Sequence, residues 1–447
     1  MRLMILTGSL GHGGAEHQAI TLANGLAERG HECHLGYVKP EHDQLGRIHL
    51  TAPGTTFCLE ARGYLDFRAL GRLAAQLRRI QPSVVVAANA YALMYALLAR
   101  AAARVRSRLV VIYHSTRVPG LKQQAQLLAY RPCMWAADCT VFVCENQQRY
   151  CMRRALMSRR NTMVHNGIDT QYFHDPRSTA ERQALRAALG YADGDYVIGI
   201  AAALRPEKNH VQLLEATARL RRAGLAAKAL IIGDGPTRGT VEARARALGI
   251  EREVTITGFR DDVRPYLAAC DVVCLCSLSV EALSLAAIEA MAMGKPLVLS
   301  RVGGATELVE PGTNGLLFSP GDTAALVHCL TQLADRGARQ TMGRCARAKA
   351  EAAFTEEGMV DRYEELLLAI GATARAGRGR SRASASVTVR RPVALILGPR
   401  REALSGVSTH VSLLLASHLA EEFTLLHFEV GSEGRNERAP GRAWRLI

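Results

Sequence analysis

Short apolar runs bounded by glycine or polar residues recur along this chain, and each is followed by a stretch with helical spacing. The runs are Leu3 to Leu6, Val84 to Ala88, Leu109 to Tyr113 and Thr140 to Cys144, then, after Ala180, Val197 to Ala202, Ala229 to Ile232, Val254 to Thr257, Val272 to Cys276 and Pro296 to Leu299. A strand apolar at every position must be buried on both faces, and a crossover helix is what lets the next strand run parallel. The alternation therefore predicts an α/β protein with two parallel sheets, each covered by helices, and a cleft between them. At 447 residues the chain also exceeds the usual size of a single core. The boundary is expected within Phe173 to Thr179, where FHDPRST follows HNGID and precedes a fresh helix. This gives a first domain at 1–177 and a second at 178–370.

Residues 371–391 contain Gly, Ala, Ser and Arg without apolar period and read as a disordered linker. Residues 392–447 then repeat the opening of the chain as strand, glycine loop and helix. Gly13, His17, Ala23, Leu26, Ala27 and Glu28 recur as Gly406, His410, Ala416, Leu419, Ala420 and Glu421, which marks a truncated duplicate of the first domain. One βαβ unit buries too little apolar surface to fold alone, so it is expected to be loosely docked or disordered.

Charge is uneven. Residues 1–177 carry 22 Lys+Arg against 11 Asp+Glu, a net +11, whereas residues 178–370 carry 22 against 24, a net −2. A basic first half suits an anionic acceptor, such as a lipid carrier phosphate, or an anionic membrane surface; solvated arginines are the plainer explanation. Nucleic acid is not expected, because aromatics are 5% and no binding module is legible. The 11 cysteines lack CxxC spacing, and Cys270, Cys274 and Cys276 fall on or beside an apolar run, which suggests buried thiols in a reducing cytoplasm. The opening apolar run is too short for a signal peptide. Val84 to Ala103 is interrupted by Asn89 and closed by Arg100 and Arg104, so strand then helix explains it better than a membrane span. Asp193-Gly-Asp195 reads as a turn, and no metal or other cofactor is expected.

Residues 281–307, EALSLAAIEAMAMGKPLVLSRVGGATE, set two glutamates eight apart around a helix start, then a strand, then a Gly-Gly turn ending in a third glutamate. A helix from about Ser284 to Met293 would leave the N–H groups of Leu283, Ser284 and Leu285 free to hold a diphosphate. Eight residues at ~1.5 Å rise separate the carboxylates of Glu281 and Glu289 by roughly 12 Å. A glycosidase pair needs about 5 to 9.5 Å, so two separate hydroxyl-binding roles fit better.

The stretch resembles the donor-site signature, E-x7-E followed by G-G-x-x-E, of the retaining family-four glycosyltransferases, and the likeness covers roughly residues 1–370. That resemblance implies two Rossmann-like domains facing across a cleft, the B-type glycosyltransferase fold, with a donor-nucleotide site in the second. It also implies that Glu281 contacts the transferred sugar and Glu289 the ribose. GGAE at Gly13 to Glu16 matches the family's glycine loop, so Gly13 and Gly14 would face the donor; the order of glycines does not fit a dinucleotide fingerprint. His114 follows the strand LVVIY, at a carboxyl end where α/β sheets keep their ligands, and a family histidine there touches the sugar. HNGID at His165 to Asp169 resembles the turn that closes the first domain, with Asn166 and Gly167 suited to positive φ.

AALRPEKN at residues 202–209 resembles the family's phosphate loop with one departure: Ala203 stands where an arginine is usual. Arg205, two residues on in an extended segment, would point the same way and substitute. Lys208 would neutralise the leaving diphosphate. Gly233 in GDGP and Phe259 after the next strand resemble base-binding loops. Together these imply a metal-independent enzyme that moves a sugar from a nucleotide-sugar donor to a hydroxyl acceptor, a lipid-linked one among the candidates, in polysaccharide or glycolipid assembly. It would be cytoplasmic, with peripheral contact at the inner face of the membrane. A non-catalytic sugar-nucleotide binder and a sugar-nucleotide epimerase of the same architecture are the alternatives.

Overall fold

The computed structural model describes residues 1–114, 127–279, 281–379, 393–398 and 424–429, and it divides into a large unit, Met1–Arg378, and a small one, Gly379–Ile447. In the large unit the first sheet comprises β1 (Arg2–Thr7), β2 (Glu32–Tyr37), β3 (Thr56–Cys58), β4 (Val84–Ala87), β5 (Arg108–Tyr113), β6 (Cys139–Phe142) and β7 (Asn161–Met163). Its order is β3-β2-β1-β4-β5-β6-β7, every pair parallel. The second sheet has β8 (Tyr196–Ala201), β9 (Ala227–Ile232), β10 (Val254–Ile256), β11 (Val272–Leu275), β12 (Leu297–Ser300) and β13 (Gly315–Phe318), in the parallel order β10-β9-β8-β11-β12-β13. Each is a Rossmann-like sheet whose strand order reverses once, beside β1 and beside β8, and such a switch point opens a crevice at the carboxyl ends.

The period of two that a covered sheet requires is visible in the first lobe. Leu3, Ile5, Val84, Val86, Val110 and Ile112 enter one buried cluster, while Met4, Leu6, Val85, Ala87, Leu109 and Val111 enter another on the opposite face. The first cluster continues into the second lobe, so one apolar core runs through both. β2, β3, β7 and β13 are additions to the strands expected from the sequence. β2 reads ECHLGY, in which His34 and Gly36 break the apolar run, and Gly36 is held by close packing on Phe57.

The last long helix, Glu356–Gly379, departs from the expected domain cut at residue 370. Its first half returns to the first lobe. Arg29 pairs with Asp361 at 2.7 Å and Glu364 at 3.0 Å, His31 meets Glu364 at 2.6 Å, and Val360 packs on Gly25 of helix α1 (Gly14–Glu28). Residues 371–379, read from sequence as linker, are helical. In the small unit β14 (Val393–Gly398) and β15 (Thr424–Glu429) pair in parallel, as β1 and β2 do. The helix expected between them, and most of the expected linker, fall outside the described residues.

The two lobes meet again at HNGID. Ile168 bridges Thr355, and a Cβ on Gly167 would stand 2.2 Å from the Thr355 carbonyl oxygen. Neither Asn166 nor Gly167 has positive φ, so close approach of two backbones, not the expected left-handed turn, requires the glycine. Gly167→Ala is expected to cost roughly 1–3 kcal/mol by overpacking, seen as a melting temperature lowered by several degrees. Gly194→Ala, with nothing within 4 Å of its added carbon, should melt like the parent; equal melting of both variants would refute the close-packed crossing.

Candidate functional site

The loops at the carboxyl ends of the two sheets face one another. A Cβ on Gly14, at the start of α1, would lie 3.4 Å from Leu285, the first residue of helix Leu285–Ala292 in the second lobe. Two helix N-termini, each with unpaired N–H groups, thus converge across the cleft. On the second, the Ser284 hydroxyl accepts the Ala287 N–H at 3.3 Å as an N-cap, which leaves the earlier N–H groups directed out of the helix end. The expected start near Ser284 is met to within a residue.

Glu281 sits in the loop before this tip. Its Oε2 accepts from Lys208 Nζ at 2.6 Å and from the Ser277 hydroxyl at 2.8 Å, with the acid and the lysine side chains 16% and 21% exposed. Lys208 reaches it from a short 3-10 turn, Pro206–Lys208, that ends at Asn209 with φ +49°, a left-handed position asparagine tolerates. The Gly-Gly turn makes the arrangement possible: Gly303 has φ +59°, and a side chain there would meet the Glu281 carbonyl oxygen at 2.2 Å. The Gly304 N–H donates to the Ala282 carbonyl at 2.6 Å, and the Asn166 amide donates to the Leu283 carbonyl at 3.1 Å.

Arg205 comes to the cleft by a route other than the expected extended segment. Its N–H closes a three-residue turn on the Ala203 carbonyl at 2.8 Å, while Leu204 N–H bonds Asp234. The side chain is exposed, and its charge acts on Glu16 of the glycine loop, whose carboxyl is raised by burial and by Glu41 and lowered by Arg205. Beside it Glu16 folds back so closely that a Cβ on Gly13 would collide with it. Gly233, at the end of β9, bridges Gly258, and Phe259 next to that bridge stacks on His12 of the opposite glycine loop with ring centroids 4.1 Å apart.

His114 lies at the end of β5, and burial pushes it down to about 4, so the ring is neutral at physiological pH. Its Nε2 has no hydrogen-bond partner among the described residues. Glu289 is pushed up to about 7 by burial, against a smaller opposing pull from Arg47. Arg47 is a first-lobe residue whose guanidinium lies 3.2 Å from His17 Nδ1, so the helix bearing Glu289 is aimed across the cleft. The third glutamate of the motif, Glu307, ties the lobes together: it accepts the Glu145 N–H at 2.9 Å and meets His165 at 2.8 Å.

The family described as "Glycosyltransferase Family 4" matches residues 12–172, and that described as "Glycosyl transferases group 1" matches residues 181–349. The chain belongs to these glycosyltransferases. It is similar to the N-acetyl-alpha-D-glucosaminyl L-malate synthase of Bacillus anthracis, 30% identical over 204 residues that cover 45% of this chain and 52% of that protein. It is similar also to a GDP-mannose-dependent monoacylated phosphatidylinositol monomannoside mannosyltransferase of Corynebacterium glutamicum, 31% identical over 211 residues, 45% of this chain and 54% of the relative. The chain thus spans about half the length of these curated relatives. Among solved structures, Anabaena HepE in complex with UDP superposes with a TM-score of 0.72 at 25% identity, covering 83% of this chain and 100% of that one.

In this glycosyltransferase the residues expected from sequence lie on the facing carboxyl edges of the two sheets. The sequence did not point to Ser277, His12, His17 or Arg47; the last three act through partners distant in the chain, so no local spacing marks them, whereas Ser277 bonds Glu281 only four residues on. Glu289 supplies a prediction. Its raised carboxyl means the folded protein holds a proton there that the unfolded chain has lost, so its stabilising contribution is complete below the ordinary value of 4.5 and disappears as pH rises through about 7. Melting curves across this window should decline less steeply for Glu289→Gln than for the parent. Glu356, pushed up to about 7 by burial and by Asp169 and Glu28, keeps its own share of the slope in both proteins. Superimposable pH profiles would rule out a raised Glu289 carboxyl.

Proposed function

We propose that the chain transfers a sugar from a nucleoside diphosphate to a hydroxyl acceptor, with retention at the anomeric carbon. The observation that carries this reading is the Lys208–Glu281 pair at the tip of helix Leu285–Ala292, with the glycine start of α1 on the opposite wall. A diphosphate would be held at this helix tip. The helix end offers N–H groups and its dipole, Arg205 adds a guanidinium, and the Lys208 ammonium has donors to spare beyond the one on Glu281. These groups stabilise negative charge on the departing phosphate, which is the main electrostatic demand of glycosyl transfer.

Glu281, fixed by Lys208 and Ser277, orients sugar hydroxyls. His114, neutral and with an unmet Nε2, serves the same sugar from the first lobe. Glu289 holds the ribose, Phe259 and Gly233 border the base, and Gly13 and Gly14 let the first lobe close on the phosphates. Closure excludes water, which otherwise competes with the acceptor. Departure and attack on one face give retention, with no protein nucleophile required. The UDP bound by HepE and the GDP-mannose dependence of the Corynebacterium relative support a nucleotide-sugar donor. Metal ions are not needed in this scheme, since Lys208, Arg205 and the helix tip carry the countercharge.

The net charge of +11 over residues 1–177 supports an anionic acceptor, in polysaccharide or glycolipid assembly. Among the described residues no helix is long and apolar enough to cross a membrane, and a peripheral position at the inner face of the membrane suits that charge. One observation favours a second reading, a nucleotide-sugar binder without turnover: Ala203 in place of the arginine implied by the family resemblance.

Donor hydrolysis and nucleotide binding separate the two. UDP, GDP or ADP should raise the melting temperature by mass action. Glu281→Ala and Lys208→Ala should each lower turnover about 10²–10³-fold while melting near the parent. Full activity in both variants would discard the site, and binding without turnover on any donor would favour the second reading. Proton NMR of the product should show the donor's anomeric configuration; the opposite anomer refutes retention.

A further inference from the structure

The two helix tips that meet across the cleft are not equivalent. At Leu285–Ala292 the Ser284 hydroxyl is the cap and the first turn carries no acidic residue, so the remaining N–H groups face outward. At α1 the first helical bond runs from the His17 N–H to the Gly13 carbonyl at 3.0 Å, and Gly13 has no side chain with which to cap. The N–H groups of Gly14, Ala15 and Glu16 are left outside the ladder. Glu16 itself supplies an acceptor: its carboxylate turns back onto its own N–H and lies over Gly13, so that any Cβ there would meet it. The first-lobe tip thus carries its own anion, where a helix end can hold a phosphate, and the second-lobe tip carries none.

The charges beside the two tips are likewise opposed. Glu41 flanks the glycine loop: its carbonyl accepts the Leu10 N–H at 3.0 Å, and its Oε2 stands 2.9 Å from where a Cβ of Gly11 would be. Asp43 lies 3.9 Å from His12 of the same loop. The second lobe presents Lys208, 2.6 Å from Glu281, and the exposed Arg205. Burial raises the Glu16 carboxyl and its own N–H opposes the rise; Glu41 then adds to it and Arg205 offsets it. The carboxylate is therefore held, against burial and a like charge, by a helix end and by a guanidinium of the other lobe. A diphosphate would seek the same two partners.

We propose that Glu16 is a placeholder for the donor's diphosphate. Until a nucleotide binds, its carboxylate occupies the α1 tip and faces Arg205; the entering diphosphate takes over both partners, and Glu16 turns away. Gly13 is then uncovered, and the backbone of the glycine loop can approach the phosphates. Glu16 is in this sense a positioning residue that lowers affinity: it keeps Arg205 and the loop poised, and its displacement offsets part of the free energy of binding. The nucleoside diphosphate left after transfer is released more readily for the same reason, since Glu16 competes for its place. This rests on reading the cleft as a donor site and goes beyond it in naming the group that the donor displaces.

The test is calorimetric titration of the full chain with UDP, GDP and ADP, following the nucleotide that binds the parent most tightly. Glu16→Gln keeps the length of the side chain and removes its charge, and it is expected to bind about three- to fivefold more tightly, the size of effect that a charge has at a helix end. Glu16→Asp, which keeps the charge, should stay near the parent. Arg205→Ala should weaken binding, and in its background Glu16→Gln should gain little, because the two side chains act through one interaction. A carboxylate that only capped the helix would, on replacement, lower the melting temperature without raising affinity. Weaker or unchanged binding by Glu16→Gln while the parent binds, or an equal gain with and without Arg205, would each overturn the proposal and leave the donor reading intact. If no nucleotide bound either the parent or Glu16→Gln, the donor reading would fall, and the proposal with it.

Discussion

The position of Glu281 depends on how the loop between β11 and helix Leu285–Ala292 is held from behind. Consecutive carbonyls of that loop are occupied: the Gly304 N–H takes Ala282 at 2.6 Å and the Asn166 amide takes Leu283 at 3.1 Å, while Gly303 passes close enough to the Glu281 carbonyl to exclude any side chain. Two of these constraints come from the second lobe and one from the first. The loop therefore cannot relax without unpairing buried backbone groups, each worth about 1–3 kcal/mol when left without a partner. A carboxylate anchored in this way can pair with Lys208 without either side chain searching for its geometry, and such preorganisation is what an electrostatic site needs.

The same loop explains why the lobes stay in register. Glu307, four residues after Gly303, accepts from Glu145 and His165; Asn146 donates to the Gly303 carbonyl at 3.1 Å. At the far side the helix from Glu356 is held to α1 by Arg29 and His31. Contacts thus bracket the cleft, polar at the carboxyl edges of the sheets and charged at the returning helix. Between the brackets stand His12 on Phe259 and Gly14 on Leu285, which touch but share no described hydrogen bond. Those are contacts a ligand can replace at small cost, whereas the brackets are not.

How much of this was legible depended on whether the signal was local. Strands apolar at every position, such as VVVA and VVCL, announced themselves, and so did the helix start near Ser284 and the glycine loop. β2 did not, because its His34 is buried by a hydrogen bond to Thr55 and its Gly36 is demanded by Phe57, both distant partners. The return of the last helix was hidden for the same reason: Met359, Val360 and Tyr363 look like any amphipathic stripe, and only the first lobe says which core they join. Arg205 shows the limit of arguing from period. Its neighbourhood was anticipated, but through an extended segment; the three-residue turn at Leu204 is imposed by the bond to Asp234, which the sequence around residue 204 does not contain.

The electrostatics of the cleft follow from this construction. Glu281 is opposed by Lys208 and hydrogen bonded to Ser277, whereas Glu289 is half-buried, forms no ion pair among the described residues, and is pushed up to about 7 by its desolvation. His114 and His17 are held down to about 4 by burial, so neither adds positive charge near neutrality. Lys208 and Arg205 supply cationic charge beside the helix tip, and Arg47 supplies it near Glu289. In the proposed reaction the phosphates would lie toward Lys208 and Arg205 and the ribose hydroxyls toward Glu289, where the pull of Arg47 offsets part of the burial. On the proposed reading the raised carboxyl would assist at this second end, because a carboxyl near its midpoint can accept from one ribose hydroxyl or donate to another without a large penalty in either state.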